Sequence, residues 1–136
     1  MNEKLIEMIK RHEGLRLFPY KCSAGKITIG YGRNLDDKGI TKREAEELLW
    51  SDIQEAAQNT MSIFPQFYTY TIARQNALID LMFNLGKTRF LKFKKMIAAV
   101  KEEDWTEAAK QAKDSQWHNQ VGGRALDIED MLERGI

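Results

Sequence analysis

The chain has few of the residues that support disulfide or metal chemistry. Its 136 residues include one cysteine, Cys22, which excludes an intramolecular disulfide and a cysteine-based zinc site. The two histidines, His12 and His118, lie far apart in sequence and give little support for a metal site. We therefore expect no metal and no cofactor.

Long apolar runs and a strong charge imbalance are also missing. No run approaches 18 apolar residues, so the sequence predicts no transmembrane helix. The first residues lack a long apolar segment, so we expect no signal peptide and expect folding in the cytoplasm. The formal net charge of +1 does not by itself require a polyanionic partner. A hydrophobic content of 43% can form one core, which predicts a single domain over residues 1–136.

The first third of the chain changes from helical to strand periodicity. Residues 3–13 place an apolar stripe on one helix face, Glu13 continues that stripe, and Gly14 offers a C-cap. In residues 16–33, Ile27 and Ile29 alternate with polar or small residues, which predicts two short strands joined by a turn at residues 23–25. Thr28 is expected on the opposite, solvent-facing side of this small sheet. The helix stripe consists of Leu5, Met8, Ile9 and His12.

The rest of the sequence reads as helical. Thr41 and Glu44 form a capping-box pattern, which predicts a long helix to about residue 58. Residues 77–85 are apolar nearly all round, which predicts a buried central helix that ends at Gly86. Further helices are predicted over residues 90–100, 105–113 and 124–132, and Asp104 with Glu107 is expected to cap the second of them. The long helix is expected to turn inward Ala45, Leu48, Leu49, Ile53 and Ala56.

Glu13 is the first candidate for a catalytic side chain. It lies at the end of the first helix, where the negative end of the helix dipole disfavours an ionised carboxylate. Partial burial would disfavour ionisation further. A carboxylic acid that keeps its proton near neutral pH can donate it when a glycosidic bond is cleaved. The alternative is a solvated glutamate on an amphipathic helix.

Glycoside hydrolysis also needs a base that activates water, or a nucleophile, and a carboxylate normally fills that role. The predicted hairpin contains no carboxylate, and its polar candidates are Cys22 and Thr28. A thiol could act as a weak base, or as a nucleophile if its pKa were lowered; otherwise Cys22 is a small packing residue. The Thr28 hydroxyl could hold a water; otherwise it is a strand-forming residue.

Two further features involve basic residues. Arg124 opens the last predicted helix, either as a surface arginine or as the bidentate partner of a carboxylate such as Glu13. Residues 87–95 contain five basic and no acidic side chains, which is typical of a solvated face but would also attract an anionic wall or lipid surface. The five basic residues are Lys87, Arg89, Lys92, Lys94 and Lys95.

The segment EGLRLFPYKCSAGKITIGYGRN, residues 13–34, resembles the catalytic hairpin of phage-type lysozymes, the endolysin muramidases of glycoside hydrolase family 24. Their motif is a glutamate, eight residues, an aspartate or cysteine, five residues and a threonine, and here it falls on Glu13, Cys22 and Thr28. The segments ALIDLMFNLG, DWTEAA and SQWHNQVGGRA resemble the family's central helix and tryptophan-containing segments. The resemblance implies a lysozyme-like α+β fold. Its N-lobe would span about residues 14–58 packed with helix 1, and an all-helical C-lobe would span about residues 60–136 plus helix 1.

The resemblance implies hydrolysis of the β-1,4 bond between N-acetylmuramic acid and N-acetylglucosamine in peptidoglycan. Glu13 would be the general acid, and Cys22 and Thr28 would position or activate the attacking water. Arg124 would pair with the catalytic glutamate, and Gly30 would let the glycan approach the strand backbone. The remaining substrate-binding residues would be Asn84, as a sugar-contacting amide, and Phe83, as part of the cleft wall.

This sequence departs from the family pattern at two positions, and other activities stay open. Cys22 replaces the commoner aspartate, and Arg33 replaces a histidine, so the family's histidine–aspartate ion pair should be absent. The alternatives are a lytic transglycosylase, in which one glutamate suffices, and a non-enzymatic wall-binding or membrane-disrupting protein. We expect a monomer that binds peptidoglycan glycan strands but no nucleic acid. It would be made in the host cytoplasm and act in the periplasm after release through a holin-type pore.

Overall fold

The first 47 residues form a helix followed by a small sheet. In the computed structural model, which describes residues 2–136, helix α1 spans Glu3–Glu13. Its N-cap is Asn2, whose side chain accepts from the backbone N–H of Lys4 at 2.8 Å. The predicted C-cap is confirmed, because the N–H of Gly14 donates to the carbonyl oxygen of Lys10 at 2.8 Å.

Three short antiparallel strands follow in the order β1-β2-β3, with bounds Arg16–Lys21, Ile27–Gly30 and Arg33–Asn34. The predicted hairpin is therefore confirmed, and β3 is an addition to it. Helix α2, Leu35–Lys38, is a single turn. The predicted α+β fold class is confirmed, with this sheet near the N-terminus and helices elsewhere.

Burial in this region differs from what the sequence pattern suggests, and the prediction for Thr28 is wrong. No residue of α1 is buried, and Leu5, Met8 and Ile9 are exposed, because a 47-residue unit is too small to build a core around an apolar stripe. Thr28 is buried with 3% exposure rather than facing solvent. Its place in the central strand explains the burial, and its hydroxyl is satisfied because it donates to the carbonyl oxygen of Lys26 at 2.9 Å.

The long helix α3, Lys42–Ile63, begins at the predicted capping box. The N–H of Glu44 donates to the hydroxyl of Thr41 at 3.1 Å, and the N–H of Thr41 donates to Glu44 Oε1 at 2.9 Å. Of the residues predicted to face inward, Ala56 is buried, but Ala45, Leu48, Leu49 and Ile53 are exposed. That prediction fails because only the later turns of α3, at Ala56 and Thr60, pack into a core.

The chain divides into two compact units, Met1–Glu47 and Leu48–Ile136. The predicted lobe bounds and the single-domain organisation stay predictions. The second unit contains the end of α3, a 3-10 turn at Phe67–Thr69 and six helices among the described residues. These helices are α4 Ile72–Leu85, α5 Lys87–Phe90, α6 Lys94–Lys101, α7 Trp105–Lys113, α8 Gln116–Val121 and α9 Gly123–Arg134.

Helix α4 is the predicted buried helix and ends, as expected, at Gly86. It packs against α9, which in turn packs against α7 and α8. The predicted helix over residues 90–100 is interrupted, because the chain turns after Phe90, which is fully buried, before α6 begins. Asp104 caps α7 as predicted by accepting from the N–H of Glu107 at 3.2 Å. Helix α8 was not predicted. None of the helices described over residues 2–136 has the length and apolarity needed to cross a membrane.

Candidate active site

Glu13 ends helix α1 and directs its carboxylate at the backbone of Gly32. An added β-carbon at Gly32 would lie 2.7 Å from Glu13 Oε2 and 3.1 Å from the carboxyl carbon. The backbone of Gly32 has φ +86°, a conformation that disfavours side chains. Gly32 therefore forms a close support for the carboxylate. Sequence analysis missed this residue, although the Gly-Tyr-Gly run after the strand is a signal for unusual backbone geometry.

Within the first unit, no described residue pairs with the Glu13 carboxylate or donates a hydrogen bond to it. The side chain is exposed, so the expected partial burial is wrong. The predicted helix end is confirmed, since α1 ends at Glu13, and this end carries the partial negative charge of the helix dipole. Glu13 is thus a solvent-accessible carboxyl group with a defined support on one side.

Cys22 follows strand β1, Thr28 lies on strand β2, and both hydrogen-bond to the carbonyl oxygen of Lys26. The N–H of Cys22 donates to the carbonyl oxygen of Lys26 at 2.9 Å, and the N–H of Gly25 donates to the carbonyl oxygen of Cys22 at 2.8 Å. The pKa of the Cys22 thiol is lowered, first by hydrogen bonding to the backbone of Lys26 and then by the backbone of Ala24. Slight burial opposes this shift, and the Thr28 hydroxyl adds to it.

The hydroxyl of Thr28 has one proton and two possible acceptors. In the structure it donates to the Lys26 carbonyl oxygen at 2.9 Å, and it also lies close enough to Cys22 to lower the thiol's pKa. Because one hydroxyl donates one hydrogen bond, it can serve a Cys22 thiolate only by leaving Lys26. The hairpin therefore joins two of the predicted catalytic side chains and favours the ionised form of one.

Gly30 and Arg33 flank the loop that carries Gly32. Gly30 ends β2 with φ +71°, and no heavy atom lies within 4 Å of the position that an added β-carbon would take. Arg33 forms two hydrogen bonds of 2.9 Å with the Glu44 carboxylate and a third, of 3.1 Å, with the carbonyl oxygen of Gly39. Hydrogen bonds from Arg33 and then from the Thr41 N–H hold the pKa of Glu44 at about 2. This ion pair, which sequence analysis did not identify, ties the loop to the start of α3.

In the second unit, Phe83 and Asn84 are neighbours near the end of α4. Phe83 is exposed and lines a surface depression of about 340 Å³ together with Asp80 and Arg124. The side-chain oxygen of Asn84 accepts a hydrogen bond from the indole N–H of Trp117 at 2.8 Å. Because an indole nitrogen only donates, this contact fixes which end of the Asn84 amide is oxygen and leaves its N–H groups for another partner.

Arg124, near the start of α9, has a carboxylate partner within its own unit. Its Nε donates to Asp80 Oδ1 at 2.7 Å, and both side chains are partly exposed. Sequence analysis predicted Glu13 as the partner and missed Asp80, although a lone acid in the apolar run ALIDLMFNL was a visible signal. The predicted pairing of Arg124 with Glu13 stays a prediction.

The five basic residues of segment 87–95 are all exposed. Four of them, together with the aromatic rings of Phe93 and Trp117, line a surface cavity of about 580 Å³. Phe90 is buried among core aromatics and therefore cannot stack on a ligand. This cavity is a cationic feature of the second unit. The four residues are Arg89, Lys92, Lys94 and Lys95.

Comparison with known proteins shows the family of this chain. Residues 10–134 match the phage lysozyme family. A probable T4-type lysozyme 1 of Dictyostelium discoideum is 28% identical over 99% of this chain and 96% of its own length. An endolysin of Acyrthosiphon pisum secondary endosymbiont phage 1 is 41% identical over 66% of this chain and 62% of its own length. The pre-baseplate central spike protein Gp5 of Enterobacteria phage T4 is 29% identical over 98% of this chain but only 28% of its own length.

The α+β architecture and the family match together indicate a lysozyme-type glycosidase. The family match covers most of the chain, so the chain belongs to the phage lysozyme family. Its substrate is accordingly peptidoglycan.

Proposed function

We propose that this protein is an endolysin that hydrolyses the β-1,4 bond between N-acetylmuramic acid and N-acetylglucosamine, with Glu13 as the general acid. The observation that supports this most directly is the Glu13 carboxylate seated on Gly32 at the end of α1. A side chain at that glycine would collide with the carboxyl group, so Gly32 leaves the room in which the carboxylate lies against the backbone. A general acid requires such a defined position next to the leaving oxygen.

Cys22 and Thr28 would position or activate the attacking water. A thiolate is the basic form of cysteine, and the hairpin's hydrogen bonds to Cys22 favour it by lowering the pKa. The Thr28 hydroxyl, buried beside it, can accept a hydrogen bond from water while it donates its own proton. With water as the nucleophile on the face opposite the acid, the reaction would invert the anomeric carbon.

The substrate-binding roles in the proposal follow the chemistry of each residue. Gly30 has no side chain to obstruct a glycan, and Phe83 presents an exposed ring, which can pack against a sugar face. The Asn84 amide keeps its N–H donors for sugar oxygens. Arg124 would act on the catalytic glutamate through its charge, and its contact with Asp80 leaves part of that charge compensated.

The proposal also covers the protein's partners and location. The exposed basic cluster of residues 87–95 would be drawn to anionic wall or membrane surfaces by long-range attraction, which salt should weaken. The protein would act as a monomer without nucleic acid, metal or cofactor. It would be made in the host cytoplasm and reach the periplasm through a holin-type pore, where cleavage of the wall lyses the host.

The test is digestion of purified peptidoglycan by the parent protein and by Glu13→Gln, with the products resolved by mass spectrometry. We expect reducing muropeptides from the parent and a loss of at least about a hundredfold in rate for the variant, because general acid catalysis typically contributes that much. Glu7→Gln is the matched control, since Glu7 lies on the same helix and is exposed. It should retain the parent rate.

The products also separate the alternatives. A lytic transglycosylase would release 1,6-anhydro sugars instead of reducing ends, and the lack of a second carboxylate in the hairpin is the feature that favours it. Release of no product by either protein, or equal rates for the parent and Glu13→Gln, would refute the proposed mechanism. Activity that disappears with EDTA would contradict the absence of a metal requirement.

A further inference from the structure

Glu129 is a carboxylate that is fully buried in the second unit, which is rare for a charged side chain. It lies on α9 with 1% exposure, among the apolar side chains that pack this helix onto its neighbours. Its Oε2 lies 2.6 Å from Nδ1 of His118 on α8. Its other oxygen, Oε1, is buried and has no hydrogen-bond partner in the part of the chain that the structure describes.

A buried carboxylate with a single partner makes that partner's position matter. Burying such a group is unfavourable unless it is hydrogen-bonded, so Glu129 loses its one compensation whenever His118 moves away. His118 retains 29% exposure and lies on the solvent side of the pair. The contact therefore attaches α8 to α9 in one orientation. Moving α8 away would cost more free energy than breaking an apolar contact of the same size, because it would leave a buried carboxylate without a hydrogen bond.

Helix α8 needs such an attachment because it has only six residues. A helix of that length is unstable by itself and takes its orientation from contacts. His118 is next to Trp117 in the chain, and adjacent helical side chains point about 100° apart. The two contacts, His118 to α9 and Trp117 to α4, consequently fix both the tilt and the rotation of α8.

Trp117 connects the orientation of α8 to the side chain of Asn84. The indole is 3% exposed, packs edge-on against Phe93 with ring centroids 6.5 Å apart, and donates to the Asn84 oxygen at 2.8 Å. A shift of α8 would break or bend this hydrogen bond, and the Asn84 amide would then be free to turn.

We propose that Glu129 and His118 form a buried positioning pair that holds α8 in place, so that Trp117 keeps the Asn84 amide turned with its N–H donors toward the glycan. The consequence for substrate binding rests on the proposed function, whereas the structural link from Glu129 to the Trp117 indole does not. Neither member of the pair touches the glycan in this proposal, so both are positioning residues.

The experiment follows the indole N–H signals of the three tryptophans by NMR in ¹⁵N-labelled full-length protein, with Trp117 assigned through Trp117→Phe. His118→Phe and Glu129→Leu keep a side chain of similar size and remove the contact. Both are expected to shift the Trp117 indole signal and to speed its exchange with water. The signals of Trp50 and Trp105 should stay in place. Glu133→Gln, on the exposed side of the same helix, is the matched control and should leave all three signals unchanged.

Glu129→Gln provides the conservative rescue. A glutamine amide has nearly the same shape and can donate to His118 Nδ1, so this variant should fold and keep the parent Trp117 signal. A Trp117 signal that moves away from the parent position in folded Glu129→Gln would overturn the hydrogen bond as the fixing contact, and this measurement can be made even if the two more disruptive variants fail to fold. An unchanged Trp117 signal in folded His118→Phe would overturn the proposal outright.

Kinetics on a soluble peptidoglycan fragment test the consequence for binding. In His118→Phe and Glu129→Leu, the loss of one oriented hydrogen bond from Asn84 to the sugar should raise KM by about tenfold with little change in kcat. This is the result expected when ground-state and transition-state binding weaken together. A fall in kcat with KM unchanged would refute the link to Asn84. If the parent cleaves no glycan, the proposed function fails while the indole signals still decide the positioning pair.

Discussion

Gly32→Ala gives the sharpest test of the first-unit site, because two separate properties require a glycine there. The backbone φ of +86° is left-handed, and a residue with a side chain pays about 1–2 kcal/mol in that region. The new β-carbon would also stand 2.7 Å from Oε2 of Glu13, closer than the 3.0 Å that real β-carbons respect. The carboxylate must therefore retreat.

The two effects have different sizes and different readouts. The backbone cost should lower the melting temperature by about 3–10 °C, given the usual entropy of unfolding for a domain of this length. The retreat of Glu13, the proposed proton donor, is a few tenths of an ångström or more. Since a misplacement of about 1 Å costs roughly a hundredfold in rate, we expect kcat to fall between about fourfold and thirtyfold.

Gly25→Ala separates the two effects. Gly25 has a similar φ of +77°, but no heavy atom lies within 4 Å of its added β-carbon. Both variants should lose a similar amount of thermal stability, and only Gly32→Ala should lose most of its kcat. The assay is turnover of purified peptidoglycan at a temperature well below both melting transitions. Parent-like kcat in Gly32→Ala, or an equal loss in Gly25→Ala, would refute the argument that Gly32 positions Glu13.

Two further predictions concern the same unit. Cys22→Ser should lower activity strongly and Cys22→Asp should keep much of it. In the aspartate variant the rising limb of the pH–rate profile should move down toward pH 4, the ordinary pKa of that carboxyl; parent-like activity in Cys22→Ser would make the cysteine a packing residue. Glu44→Gln should melt below the parent at pH 6, because the folded-state pKa of about 2 makes the ionised Glu44 stabilising above its unfolded value. Glutamine preserves the capping box, so this difference reports the Arg33 contact and should vanish as the pH falls toward 2; a difference that persists there would contradict it.

Most of the local structure could be predicted from the sequence. The capping pairs at Thr41 and Asp104, and the helix end at Gly86, were predicted correctly because each depends on residues within one turn. Helices α7 and α9 were predicted nearly to the residue for the same reason. In the candidate site, the spacing of Glu13, Cys22 and Thr28 identified one helix end and one hairpin. The structure has both.

Burial could not be predicted as well, because it depends on what covers an element rather than on its own pattern. The apolar stripe of α1 is regular, yet none of it is buried. Thr28 alternates with isoleucines and was expected in solvent, yet it is the buried member while Ile27 is 41% exposed. A hydroxyl satisfied by a nearby carbonyl can be buried at little cost, and periodicity contains no information about that hydrogen bond.

The polar pairs of the second unit show a different limit. Trp117 and Asn84 are 33 residues apart, Arg124 and Asp80 are 44 apart, and His118 and Glu129 are 11 apart on two separate helices. Each pair depends on the relative rotation of two packed helices, and one residue of rotation, about 100°, would point either member elsewhere. A sequence pattern specifies which face of a helix is apolar, but an apolar face is wide enough to accept several rotations. Directional contacts such as these select one rotation of each helix, and a single sequence does not reveal them because the apolar pattern is the same for several rotations.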